Sequence, residues 1–226
     1  MKYEKSHTSC FLYYPMIISG GNSMKKMILT LLFFILFSLG ISLQLKADIG
    51  QSVFNAFCLS FAKYFHLKIG IVINICNMVL FVLYIIIKKT IKLQDLLQFV
   101  YIMMNGLLVD LILGKLLLGL VIESYILNVT TFLVGLFIAA FSLGQILRIG
   151  LVKFPLESLC LELVNRTTFS FSQIRYSFDF IFVIGAFSIF ILDQSIMTIR
   201  EGTMISFFLL SYLISASYKL SIGRGE

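Results

Sequence analysis

Apolar residues occupy long blocks of the chain, and short groups of charged or small residues separate these blocks. Six blocks are about 20 residues long, which is the length that an α-helix needs to cross the hydrocarbon core of a bilayer. They predict spanning helices over Met27–Leu45, Ile69–Ile87, Leu93–Leu113, Leu127–Leu147, Phe171–Leu192 and Met204–Lys219. The predicted fold is therefore all-α, in the form of a polytopic membrane protein.

Two further apolar segments, Val53–Tyr64 and Pro155–Asn165, are too short to cross a bilayer. The first has apolar residues at helical spacing, and the proline that opens the second favours the first turn of a helix. Each follows a group of charged, glycine or small polar residues that ends the preceding helix. We expect two short helices, either re-entrant or lying in the membrane interface.

The region around the first of these breaks is repeated later in the chain. Gly40–Phe57 is echoed 102 residues further on by Ser142–Leu159. In both copies an apolar helix ends near a basic residue, Lys46 or Arg148, and a glycine-containing break and a short helix follow. The echo predicts that the chain consists of two copies of one unit.

The predicted units are residues 27–115 and residues 116–220, each with three spanning helices. Because three is an odd number, the second unit must cross the membrane in the opposite sense to the first. The sequence therefore predicts an inverted repeat, in which the two breaks approach from opposite faces of the membrane.

Composition agrees with lipid as the outer solvent. Hydrophobic residues make up 59% of the chain and charged residues 13%, whereas soluble domains carry about 25% charged residues. The net charge of +7 comes from cations that flank the apolar blocks, so no nucleic-acid partner is expected. Most of these cations fall on the inner side if both termini are cytoplasmic. Residues 1–26 and 221–226 are then cytoplasmic tails, with Met24 as an alternative start of translation.

Charged residues inside the predicted spans are candidates for ion or substrate binding, because burying a charge in a bilayer is costly. Arg175 and Asp179 lie four residues apart on one helix face and can pair, either as a structural ion pair or facing a central cavity. Asp110 lies late in the third span, near Lys115. It is either an interfacial carboxylate or a site for a proton or coupling ion.

Polar groups in the breaks and in the second span complete the candidates. Asp48, Asn55 and Glu157 belong to the broken segments, where transporters bind ions and polar solutes. They can equally serve as helix caps or favour a helix dipole. Asn74 in the second span is a candidate too, although intramembrane amides usually form hydrogen bonds between helices.

The chain shows no pattern typical of an enzyme. His7 and His66 are its two histidines, and it contains no G-x-S-x-G, phosphate-binding or metal-binding motif. Its four cysteines are widely spaced, so we expect no metal site and no cofactor.

The run Gly40–Gly50 resembles the motif that follows the first helix of the YczE family of bacterial integral membrane proteins, part of a YczE/YyaS/YitT grouping. Further matches are Gly106 with Asp110, Arg175 four residues before Asp179, and Gly202-Thr203 before the last helix. The resemblance covers about residues 27–220 and implies a multi-pass protein of the bacterial plasma membrane. The family often has Gly-Pro where this chain has Ser52-Val53, and it has no settled activity.

Two functions fit these patterns. The interrupted helices with intramembrane charges predict a small-solute transporter or permease. Such a protein lies in the lipid bilayer and carries an unidentified solute across it. The alternative is a non-transporting membrane scaffold or accessory protein that helps another enzyme or complex to mature or to localise. A water-accessible cavity lined by Asp48, Asn55, Glu157, Arg175 and Asp179 favours the first function, and a dry centre favours the second.

Overall fold

The computed structural model describes residues 23–91 and 93–220, and every regular element in these ranges is helical. The eight α-helices of this part of the chain are α1 Ser23–Ala47, α2 Val53–Tyr64, α3 Ile69–Lys88, α4 Leu93–Leu111, α5 Tyr125–Ile149, α6 Pro155–Arg166, α7 Phe171–Leu192 and α8 Glu201–Lys219. The predicted C-terminal tail and most of the N-terminal one lie outside the described residues, and Ser23–Lys26 form the first turn of α1.

All eight helices correspond to predicted apolar segments. Within the described ranges, α1, α3, α4, α5 and α7 are long and apolar enough to cross a membrane. The last helix, α8, has 19 residues with Glu201 and Lys219 at its ends and is not one of these five. It begins three residues before the predicted start at Met204, and in its first turn the backbone amide of Arg200 donates to Oγ1 of Thr203 at 3.3 Å.

The region around Gly114 departs from the prediction. The sequence predicts a break at Gly114-Lys115, yet the chain continues from α4 as a π-helix over Ile112–Leu116. The amide of Leu117 donates to the carbonyl of Ile112, which is the i to i+5 pattern of such a helix. The chain then runs without regular structure to Tyr125, where α5 begins.

Helices α1 and α5 cross in the centre of the fold and run antiparallel. Gly40 lies on α5 so closely that a Cβ atom there would come within 2.6 Å of the backbone nitrogen of Ala139. The C-terminal end of α1 at Ala47 packs beside Phe132, in the first half of α5. Because the early residue Phe33 instead packs beside the late residue Ile146, the two helices have opposite directions.

Each short helix packs on a long helix from the other half of the chain. On α2, the ring of Phe57 lies 5.3 Å from that of Phe182 in α7 and against Gly185. On α6, Leu159 and Cys160 pack in one cluster with Leu80 of α3. Because α2 packs on α7 and α6 packs on α3, each half of the chain lends its short helix to the other half. Both short helices lie inside the bundle, next to the crossing of α1 and α5.

The outer surface of the bundle is apolar. Side chains such as Ile28, Ile75, Leu107, Phe180 and Phe208 are more than half exposed. A soluble domain does not usually expose so many large apolar side chains over its surface. The described residues therefore form an all-helical protein whose exterior suits lipid.

Candidate functional site

A cavity of about 80 Å³ lies at the crossing of α1 and α5. Each of the eight helices contributes at least one side chain or break residue to its wall. The polar residues in that wall are Gln44, Ser52, Asn55, Asn77, Asn105, Glu157 and Arg175. The rest of the wall is apolar and includes Phe37, Phe54 and Phe154.

The first break brings α2 to the cavity by its N-terminal end. After α1 ends, Asp48 and Gly50 adopt positive φ angles of 48° and 127°, which turn the chain back towards the centre. Gly50 is needed here, because a Cβ atom would come within 2.4 Å of the backbone nitrogen of Thr203. Ser52 then caps α2 by accepting from the amide of Asn55, so both residues lie in the cavity wall.

The second break does the same for α6. Gly150 ends α5 with a φ of 68°, a left-handed conformation that glycine adopts without strain. Phe154 stacks on Phe34 of α1, with ring centroids 5.1 Å apart, and Pro155 forms the first turn of α6. The first turn of α6 therefore starts beside the middle of α1, and it carries Glu157 into the cavity wall.

Arg175 on α7 joins two carboxylates. Its Nη1 donates to Oε1 of Glu157 at 2.6 Å, and its Nε lies 3.5 Å from Oδ2 of Asp179. The arginine side chain is 25% exposed and each carboxylate side chain is 13% exposed. Such half-buried ions are tolerated in a bundle because the pairing offsets part of the cost of desolvation.

Four carboxamide side chains face the same cavity and are nearly fully buried. Gln44, Asn55, Asn77 and Asn105 are each at most 6% exposed. Oδ1 of Asn105 accepts from the hydroxyl of Ser38 at 2.9 Å, and Nε2 of Gln44 donates to the carbonyl of Gly40 at 3.4 Å. The remaining oxygen of Gln44, Oε1, has no hydrogen-bond partner among the described residues.

The structure brings together three of the seven residues that the sequence singles out. Asn55, Glu157 and Arg175 all line the cavity. Asp179 contacts the same group through Arg175 without being part of the wall. Asp48 is exposed and pairs instead with Arg200, its Oδ2 lying 3.5 Å from Nη1.

The other two candidates hold α3 against α4. Asn74 donates to the carbonyl of Met103 at 3.1 Å and accepts from the amide of Gly106 at 3.0 Å. Oδ1 of Asp110 accepts from the amide of Gly70 at 2.7 Å. Both residues therefore act as hydrogen-bonding links where two glycines let the helix backbones approach closely.

Sequence reasoning did not select four of the polar wall residues, namely Gln44, Ser52, Asn77 and Asn105. Gln44 follows Ser38 and Ser42 in the same stretch of α1, and all three are buried. Three polar residues close together in an otherwise apolar helix were the available signal. The pairing of Glu157 with Arg175 had no such signal, because it joins two helices across 18 residues.

These observations describe an all-helical protein in which five helices of the described residues are long and apolar enough to cross a membrane. A small cavity, lined in part by polar side chains, lies at the starts of its two short helices. The chain belongs to a family of unknown function, DUF6198, whose family model matches residues 24–219. No curated protein and no solved structure matches the chain.

Proposed function

We propose that this protein is a small-solute permease and that the cavity between α2 and α6 is its solute site. The observation that carries the proposal is the set of buried amides and one ion pair, Glu157 with Arg175, around a central space. Ionisable groups inside a membrane are costly even when paired, and they usually mark a substrate or ion pathway. Interrupted helices that end at such a space are typical of secondary transporters.

The proposed architecture is an inverted repeat of two three-span units, with α8 as the sixth span and α2 and α6 as re-entrant helices. Helices α1 and α5 both have 25 residues and α2 and α6 both have 12. In each pair the second helix begins 102 residues after its counterpart. The exchange of short helices supports the same symmetry, because α2 packs on α7 just as α6 packs on α3.

We place the protein in the bacterial plasma membrane with both termini in the cytoplasm. The excess of lysine and arginine on the inner segments supports this orientation. The motif Gly40–Gly50 supports a relationship to the YczE family as part of the same proposal. It forms the end of α1 and the first break, and its residues Ile41 and Gln44 line the cavity.

Contacts at the two ends of α8 supply the proposed gates. At one end, Arg200 donates to the carbonyl of Asp48, and the amide of Gly202 donates to the carbonyl of Ile49 at 2.8 Å. At the other end, Arg148 donates to the carbonyl of Leu220. Breaking either set would let α8 move away from one break, so the cavity would open to one side at a time.

Uptake by proteoliposomes tests the proposal even while the solute is unidentified. Liposomes with the full chain are incubated in a mixture of small polar metabolites, and the accumulated species are identified by mass spectrometry. We expect at least one solute to enter faster than in empty liposomes. Arg175→Gln should abolish this uptake, while Asp48→Asn, outside the cavity, should retain it. Equal uptake by empty and protein-containing liposomes would favour the scaffold function instead.

A further inference from the structure

We propose, on the basis of the permease function above, that the cavity selects a small zwitterion that carries one carboxylate and one ammonium group. Glycine and alanine are the simplest members of this class. The proposal depends on the unused hydrogen-bonding capacity of Arg175, Glu157 and Gln44, and on the volume of the cavity that these residues line.

Arg175 has donors to spare for a carboxylate. A guanidinium has five N–H groups, and the pairs with Glu157 and Asp179 engage one on Nη1 and the one on Nε. The second N–H of Nη1 and both of Nη2 have no partner among the described residues. Because Arg175 is part of the cavity wall, a ligand carboxylate there can accept from it with favourable, charge-assisted geometry.

Two acceptors among the lining residues suit an ammonium group. Glu157 uses Oε1 for Arg175, which leaves Oε2 able to accept. Gln44 is 2% exposed, and its Oε1 lacks a partner within the part of the chain that the structure describes. A buried acceptor without a donor is destabilising, so this oxygen calls for a ligand that can donate.

The charges in the wall favour a ligand that is neutral overall but carries both signs. Glu157 and Arg175 are the charged residues of that wall and are opposite in sign, while Asp179 pairs with Arg175 from outside the wall and offsets part of its positive charge. A lone anion would meet Glu157 and a lone cation would meet Arg175, and either approach would add repulsion in a poorly screened interior. A zwitterion can place its carboxylate beside Arg175 and its ammonium group beside Glu157, so each charged residue gains a contact of opposite sign.

The size of the cavity limits the ligand. About 80 Å³ is room for a few water molecules, and therefore for a solute of about five or six heavy atoms. Phe37 and Phe154 leave an apolar portion of the wall that a methyl group could contact. The cavity as it stands thus suits glycine or alanine better than amino acids with long side chains.

Equilibrium binding of radiolabelled glycine to the purified full chain in detergent tests this inference. Unlabelled glycine and alanine should compete, whereas acetate, methylammonium and acetamide, which each lack part of the zwitterion, should compete at least about tenfold more weakly. Gln44→Met, which keeps the volume and removes the acceptor, should weaken binding by about tenfold. Asp48→Asn is the matched control and should bind like the unchanged chain.

The outcomes separate this inference from the permease function. If the folded chain does not bind glycine, the proposal of a zwitterion site is overturned. Uptake of another solute by proteoliposomes would then still support a permease. Competition by acetate, methylammonium or acetamide as strong as that by glycine overturns the zwitterion site too. Folding of Gln44→Met is checked by gel filtration, and Glu157→Gln provides a second variant that should lose glycine binding.

Discussion

Arg175 of α7 donates to Glu157 of α6 at 2.6 Å, and this ion pair ties the start of a broken helix to a long helix of the same half. Glu157 lies in the first turn of α6, where a carboxylate also interacts favourably with the helix dipole. The pair therefore fixes the position of the α6 N-terminus at the cavity. The pair also leaves the guanidinium of Arg175 in the wall of the cavity, where α2 begins.

Removing one member of this pair should destabilise the fold more than removing both. Arg175→Gln leaves Glu157 and Asp179 without their cation, and we expect a loss of about 1–3 kcal/mol, less than for a fully buried pair. Adding Glu157→Gln removes one uncompensated charge and should recover part of that loss. Unfolding by denaturant in detergent measures the stability of Arg175→Gln, of Glu157→Gln and of the double variant. If the losses of the two single variants simply add up in the double variant, this account is contradicted.

The close approach of α1 and α5 should make Gly40 intolerant of any side chain. Gly40→Ala places a Cβ atom 2.6 Å from the backbone nitrogen of Ala139 and 2.7 Å from the carbonyl oxygen of Gly135. Both neighbours are backbone atoms that cannot turn aside, so we expect a loss of about 1–3 kcal/mol.

The matched control is Gly114→Ala in the π-helix, where a Cβ atom would have no neighbour within 4 Å. Its stability should stay the same or rise slightly, because alanine favours helical backbone more than glycine does. Equal destabilisation by the two substitutions would show that α1 and α5 are not packed in this way.

The hydrogen bonds of Asn74 should matter for stability rather than for solute recognition. Asn74→Leu removes both links to α4, which we expect to cost about 1–2 kcal/mol. Asp110→Asn keeps an oxygen for the amide of Gly70 and should change stability much less. Thermal unfolding and glycine binding, measured on both variants, distinguish the two effects.

Asp48 should be dispensable for binding and nearly so for stability. Its carboxylate side chain is 66% exposed and that of its partner Arg200 is 36% exposed, and ion pairs of this kind contribute about 0–1 kcal/mol. Asp48→Asn removes the charge and keeps a residue type that tolerates the φ of 48°, so it should leave stability nearly unchanged and solute uptake unchanged. A large loss of uptake would mean that the first break is part of the solute path itself.

The hydrophobic pattern located the helices, and local signals in the sequence marked several of their starts. The starts of α2, α3, α6 and α7 agree with the predicted ones at Val53, Ile69, Pro155 and Phe171. These boundaries are marked in the sequence by cap residues, charges or a proline, so local physical chemistry is sufficient to define them. The length of Val53–Tyr64 likewise predicted a helix too short to cross the bilayer.

The composition of the cavity could be predicted only in part. Asn55 and Glu157 occupy corresponding positions 102 residues apart, and the echo in the sequence pointed to both. Asp48 belongs to the same break, yet its backbone turns with a φ of 48° and its side chain faces outwards. Which polar residues converge depends on how α2 and α6 exchange partners, and that is a property of the tertiary packing.

Labelling of a single cysteine at Asn77 tests the central claim most directly, because Asn77 lies in the cavity wall on α3. In a chain whose own cysteines are replaced by alanine, Asn77→Cys is exposed to a small, charged, membrane-impermeant methanethiosulfonate in intact cells and in inverted vesicles, and the proposed opening at either end of α8 gives this slender reagent its access. Leu107→Cys, which is 65% exposed on the apolar outer surface, is the control that should react from neither side. We predict that the cavity thiol reacts from both sides of the membrane. A thiol that stays unreactive from both sides, but reacts after denaturation, would contradict the permease account and favour a scaffold.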